Sequence, residues 1–99
     1  MYLILWEFTV RPERESEFER AYGTNGDWAK LFARSAEYRG TELLRDRETA
    51  GRYLTIDRWT TREAYEAFRR QWETDYRALD AAGEGLTVDE VPRGEFEVP

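Results

Sequence analysis

The stretch Tyr53-Leu-Thr-Ile-Asp-Arg-Trp59 sets a carboxylate between two large aromatic residues. In an extended strand, side chains two and four residues apart share a face, so Asp57 points the same way as Trp59 and Tyr53. A carboxylate surrounded by rings loses hydration. Its pKa rises, and it becomes a base suited to taking a proton from an acidic phenol or ketone. The competing reading is an ion pair between Asp57 and Arg45, Arg47 or Arg58. Glu7 and Glu42 are further strand carboxylates, with Arg45 available as a partner, and they read as structural pairs.

What the chain lacks narrows the chemistry further. Its 99 residues contain no histidine and no cysteine, so the commonest general base, an imidazole metal ligand, a thiolate nucleophile and disulfides are all ruled out. There is no glycine-rich phosphate loop, and the acidic residues show no metal-ligand spacing, so neither a cofactor nor a metal is expected. Acidic residues outnumber basic ones by 21 to 15, for a formal charge of −6. Such a surface repels phosphate backbones, which argues against nucleic acid as a partner. No apolar run reaches the roughly 20 residues that span a bilayer. The start, MYLILWEFTV, lacks the basic and small-residue features of a signal peptide. The expectation is a cytoplasmic protein that does not enter membranes.

Aromatics make up 15% of this polar chain. They need a core, a partner or a ligand. Trp6 on the first strand and Trp59 on the third can meet on one side of a sheet. Trp28, Phe32, Phe68 and Trp72, at helical spacings, can cover them. Together with Tyr53, this set reads either as the wall of a pocket for a flat apolar ligand or as plain core.

The elements that must position these groups follow from periodicity. Tyr2–Val10 alternates as a strand, and both faces are apolar through Leu5, which calls for cover on both sides. The chain's own helices supply one cover, and a second subunit is the natural source of the other. Pro12 ends the strand. Glu13–Tyr22 and Asp27–Ser35 read as short helices, and Tyr38–Arg47 and Arg52–Trp59 as strands joined by a hairpin loop at 48–51 that contains Gly51. Thr60 and Glu63 fit a capping box. It opens one helix whose apolar face is Tyr65, Phe68, Trp72, Tyr76 and Leu79, ending at Ala81-Ala82-Gly83. Residues 84–91 read two ways: Leu86 and Val88 fit a strand, while Thr87 with Glu90 is a second capping-box match that favours a short helical turn ahead of Pro92, the preferred reading, with Gly94–Val98 then the last strand. This order is α+β. It is the ferredoxin-like split βαβ plan with a four-stranded antiparallel sheet, in one domain spanning residues 1–99.

Several runs carry a family resemblance: Glu7-Phe-Thr-Val-Arg-Pro12, Glu17-Phe18, Gly40-Thr-Glu-Leu-Leu-Arg-Asp46, the Asp57-bearing strand ending in Trp59, and Arg62-Glu-Ala-Tyr-Glu-Ala-Phe68. Together they resemble the antibiotic biosynthesis monooxygenase family of dimeric α/β barrels. The resemblance implies a homodimer whose two sheets pack face to face, with a pocket between helices and sheet in each subunit. It also implies pocket residues around Trp59. Some members of that family oxidise phenolic polyketides without a cofactor, through the substrate's own carbanion. Others bind haem through a histidine that this chain does not have.

The expectation is therefore a cofactor-independent, monooxygenase-like homodimer binding a small aromatic or polyketide-like molecule, with Asp57 as the base. A non-catalytic ligand-binding or assembly domain, or an isomerase or cyclase, are the alternatives on the same scaffold.

Overall fold

The computed structural model describes residues 1–99. Strand β1 spans Tyr2–Val10, and a 3₁₀ turn at Pro12–Arg14 leads into helix α1, Glu15–Tyr22. Helix α2 (Asp27–Phe32), strands β2 (Tyr38–Arg45) and β3 (Arg52–Trp59), and helices α3 (Arg62–Gln71) and α4 (Glu73–Ala82) follow. A second 3₁₀ turn at Glu84–Leu86 runs directly into strand β4, Thr87–Glu97. The sheet order is β2-β3-β1-β4 and every pairing is antiparallel. This is the ferredoxin-like α+β arrangement.

Alternation on the two central strands decides what each face holds. In the β1–β3 pair, Tyr2 lies opposite Trp59 and Phe8 opposite Tyr53. Tyr2, Ile4, Phe8, Val10, Tyr53 and Trp59 are buried beneath the helices, where they join Phe18, Phe32 and Phe68 in one core. Rings fill most of it. Phe18 stacks on Tyr22 with centroids 4.4 Å apart, and Phe32 and Phe68 meet Trp59 at 5.5 and 5.2 Å. Offset and edge-on ring pairs of this kind add to what burial alone contributes.

The opposite face of the sheet is also apolar. Leu5 lies beside Ile56, Leu3 beside Phe96, and Leu44 beside Leu54. These side chains are only partly covered: Leu44 is 42% and Phe96 51% exposed. A charged group borders them, with Glu7 accepting from Arg52 at 3.0 Å and from Arg93 at 2.9 Å.

Three local readings of the sequence are corrected. The helix cap is Thr61, whose side chain accepts from the Ala64 amide at 3.1 Å; the Thr60 hydroxyl instead bonds Glu37. The long helix is two, interrupted at Trp72, where φ −113° and ψ 27° leave the helical region. The break lets Phe68 of α3 pack on Trp59 while Tyr76 of α4 meets Trp28, their centroids 4.8 Å apart. Residues 87–91 are strand, so β4 begins well before Gly94. Its pairing with β1 shifts register between Leu5 and Trp6, near Pro92, which cannot donate to a ladder, and Gly94 adopts φ 119°. The hairpin glycine matches its reading: Gly51 has φ 80°, and a Cβ there would lie 2.9 Å from the Val10 carbonyl oxygen.

The cap can be checked by mutation. Thr61→Ala should lower stability in urea unfolding by about 1 kcal/mol, because one amide of the first turn of α3 loses its partner. Thr60→Ala, on an exposed hydrogen bond, should change it less. The reverse ranking would return the cap to Thr60.

Candidate active site

A cavity of about 140 Å³ lies between the helices and the sheet. Apolar cavities of roughly 150 Å³ take up a benzene ring, so it has room for about one ring. Its floor crosses the sheet. Thr41 of β2, Thr55 and Asp57 of β3, Trp6 and Phe8 of β1, and Glu90 of β4 all face it. Tyr22 of α1, Trp28 and Phe32 of α2, and Tyr76 and Asp80 of α4 form its helical wall.

Asp57 owes its position to strand parity. It lies opposite Ile4 on one side and Thr41 on the other, on the helix-facing side of β3. The Thr41 hydroxyl donates to Asp57 Oδ1 at 2.6 Å. With its proton so used, Thr41 Oγ1 accepts from the Tyr38 hydroxyl at 2.5 Å. No arginine reaches Asp57: Arg58 turns to the opposite face and pairs with Glu42 at 2.6 Å. Burial therefore dominates and pushes the Asp57 carboxyl up to about 6, with the Thr41 hydrogen bond pulling the other way. A group poised there holds a useful fraction as base near neutral pH and still returns a proton.

Of the residues read as a ligand wall, Trp6, Trp28 and Phe32 line the cavity beside Asp57. The other four do not. Trp59 is 0% exposed and Phe68 2%, and both are core. Tyr53, 1% exposed, ties β3 to α1 by donating to Glu19 at 2.5 Å and Glu15 at 3.2 Å. Trp72 is half-buried at the helix break, with the Arg34 guanidinium 4.6 Å from its ring centroid. Trp6 and Trp59 share the helix-facing side but stand opposite Thr55 and Tyr2 respectively, four residues apart along the pair. The packing around Trp59 is thus separate from the cavity, because the rings of α2 and α3 close tightly over it.

The lining also includes groups that sequence reasoning passed over. Thr55 and Tyr76 carried a signal, since each has the correct parity or helical spacing. Asp80 and Glu90 carried none. Glu90 reaches the cavity only because residues 87–91 form a strand. It stands opposite Phe8, and burial followed by repulsion from Asp80 raises its pKa.

A family model described as antibiotic biosynthesis monooxygenase matches residues 1–78. A mutant of SnoaB, a cofactor-independent oxygenase from Streptomyces nogalater, is 27% identical. That match covers 98% of this chain and 91% of the other, with a TM-score of 0.73. SnoaB itself is 25% identical with a TM-score of 0.70, covering 99% and 92%. A structure from Deinococcus radiodurans is 12% identical with a TM-score of 0.78, covering 100% and 93%, a likeness of fold. No curated protein matches the chain.

The sign of the pH effect follows from the raised Asp57 pKa. The folded state holds this proton more tightly than the unfolded chain, whose carboxyl titrates near the ordinary 3.8. The Asp57 contribution to stability is therefore greatest below about pH 4 and falls away as pH rises through about 6. Carboxyl-carbon NMR should show Asp57 titrating near pH 6. Asp57→Asn should be more stable than wild type at pH 7.5, by on the order of 1–2 kcal/mol. A titration midpoint below 4.5 would contradict the desolvated carboxylate.

Proposed function

The chain belongs to the antibiotic biosynthesis monooxygenase family, and from that membership we propose that it is a cytoplasmic, homodimeric, cofactor-independent oxygenase acting on a small aromatic molecule. Residues 1–99 act as one domain. The observation that carries the reading is a carboxylate without a cationic partner on the wall of an aromatic cavity. Likeness to the cofactor-independent oxygenase SnoaB supports it.

In this reading Asp57 removes a proton from an activated C–H or phenolic O–H of the bound ligand. For a ring methylene flanked by aryl groups, the resulting carbanion gives one electron to O2. The two radicals combine into a peroxide, which takes up a proton. Loss of water, with the second hydrogen leaving the same carbon, yields the ketone. One oxygen atom enters the product and the other leaves as water. The Tyr38–Thr41 pair holds Asp57 in place and supplies a hydrogen bond that favours its charged form. Trp6, Trp28 and Phe32 exclude water around the carbanion, which would otherwise be reprotonated.

Dimerisation is supported by the second apolar face. Leu3, Leu5, Leu54, Ile56 and Phe96 have no helix over them, and a partner's sheet would cover them. Light scattering at micromolar concentration should give twice the chain mass. Leu5→Glu, which puts a charge in the middle of that face, should give a monomer. A wild-type monomer would sink the dimer.

The chemistry is tested by O2 uptake on anthrones, quinols and enolisable ketones. Wild type should consume O2 with at least one class. Asp57→Asn should slow it by about 10²–10⁴-fold, the span that positioned general bases contribute. Activity unchanged by that substitution would remove Asp57 from the mechanism. No uptake on the whole panel would leave a binding domain.

A further inference from the structure

The cavity's electrostatics favour one kind of ligand. Its lining includes three carboxylate side chains, Asp57, Asp80 and Glu90, and no arginine or lysine. The cations nearby are engaged elsewhere. Arg69 lies behind the wall, its guanidinium 3.7 Å from the centroid of the Tyr76 ring, bonded to the Tyr65 hydroxyl at 3.2 Å and near Glu73. Arg14 is held by Glu17 at 2.7 Å. Asp57 uses Oδ1 for Thr41, while its other oxygen has no hydrogen-bond partner in the protein.

The carboxylates sit at two ends. Asp57 is opposite Ile4 of β1, whereas Glu90 is opposite Phe8 on the far side of that strand. Two strand spacings and four residues of rise put their backbones on the order of 16 Å apart. Asp80 joins the Glu90 end. Asp80 disfavours the charge of Glu90, and both disfavour ionisation of the Tyr22 hydroxyl, whose pKa is raised chiefly by burial. Between the two ends stand the indoles and phenol rings of Trp6, Trp28, Tyr22 and Tyr76, whose faces attract cations.

We propose that this cavity selects aromatic molecules bearing a protonated amine, with the ring toward Asp57 and the ammonium between Glu90 and Asp80. An ammonium there sits between two carboxylates at the solvent-facing end of the cavity and lies against aromatic faces. A carboxylate-bearing aromatic of the same size meets like charge at both ends and is excluded. The proposal rests on the functional reading above only in taking this cavity as the ligand site, and it narrows the substrate class.

Three probes share a phenol and differ in charge: tyramine, 4-ethylphenol and 4-hydroxyphenylacetate. Trp6 and Trp28 in the lining make tryptophan fluorescence the readout of binding at pH 7.5. Tyramine should bind at least about tenfold more tightly than 4-ethylphenol, and 4-hydroxyphenylacetate most weakly. In the double variant Asp80→Asn, Glu90→Gln, with its fold checked by near-ultraviolet circular dichroism, the ratio of tyramine to 4-ethylphenol affinity should fall to about one. Glu90→Gln alone, the milder change, should lower it part of the way. Equal affinities in the wild type, tightest binding of the carboxylate, a preference that survives in the variants, or no binding of any probe at millimolar concentration would each overturn the proposal. O2 uptake separates the two readings. Uptake with neutral or anionic substrates but no ammonium preference removes this inference alone. An ammonium preference with no uptake on any substrate removes the oxygenase and leaves the site.

Discussion

The antiparallel register of β1 against β3 is the constraint on which the rest of the molecule depends. With Tyr2 opposite Trp59 and Phe8 opposite Tyr53, the large rings of both strands fall on one side, and Leu3, Leu5, Leu54 and Ile56 fall on the other. A slip of one residue would exchange the two sets. It would also carry Asp57 out from under the helices. The buried carboxylate is therefore held in place by the burial of its neighbours: Trp59 and Tyr53 gain far more inside than Asp57 loses there.

That arrangement segregates charge. The sheet's open face carries paired ions, with Glu7 held to about 2 chiefly by its hydrogen bonds to Arg52 and Arg93, and Asp46 likewise by Arg52. The helix-covered face carries carboxylates whose company is hydroxyls and rings. Carboxylates on the two sides of one sheet thus move in opposite directions from their ordinary values. The causes are burial for Asp57 and Glu90 and guanidinium hydrogen bonds for Glu7 and Asp46.

Much of the fold was legible because its signals are local and periodic. Tyr2–Val10 and Arg52–Trp59 announce themselves by alternation. Asp57 was legible as a candidate because parity alone sets its direction, although parity could not say that Arg58 would turn away to Glu42. The tryptophans were harder. Trp28 and Trp59 both face the space between helices and sheet, yet one lines a cavity and the other is sealed, since that depends on how Phe32 and Phe68 close over Trp59. Glu90 was out of reach. Its role depends on a strand that passes through Pro92 with a register shift, and Thr87 with Glu90 imitates a helix start. The break at Trp72 was equally hidden, having neither proline nor glycine to mark it.

The break divides one amphipathic stretch into two units with different duties. Helix α3 supplies Phe68 to the sealed core, while α4 supplies Tyr76 and Asp80 to the cavity. Because they meet at a non-helical residue, substitutions along α4 need not propagate as rotation into α3. A lineage can therefore alter the ligand-facing residues of α4 while Trp59 keeps its packing. In this respect the fold is modular at the scale of a single helix turn, and of these two helices it is α4, not α3, in which variation in ligand range is expected.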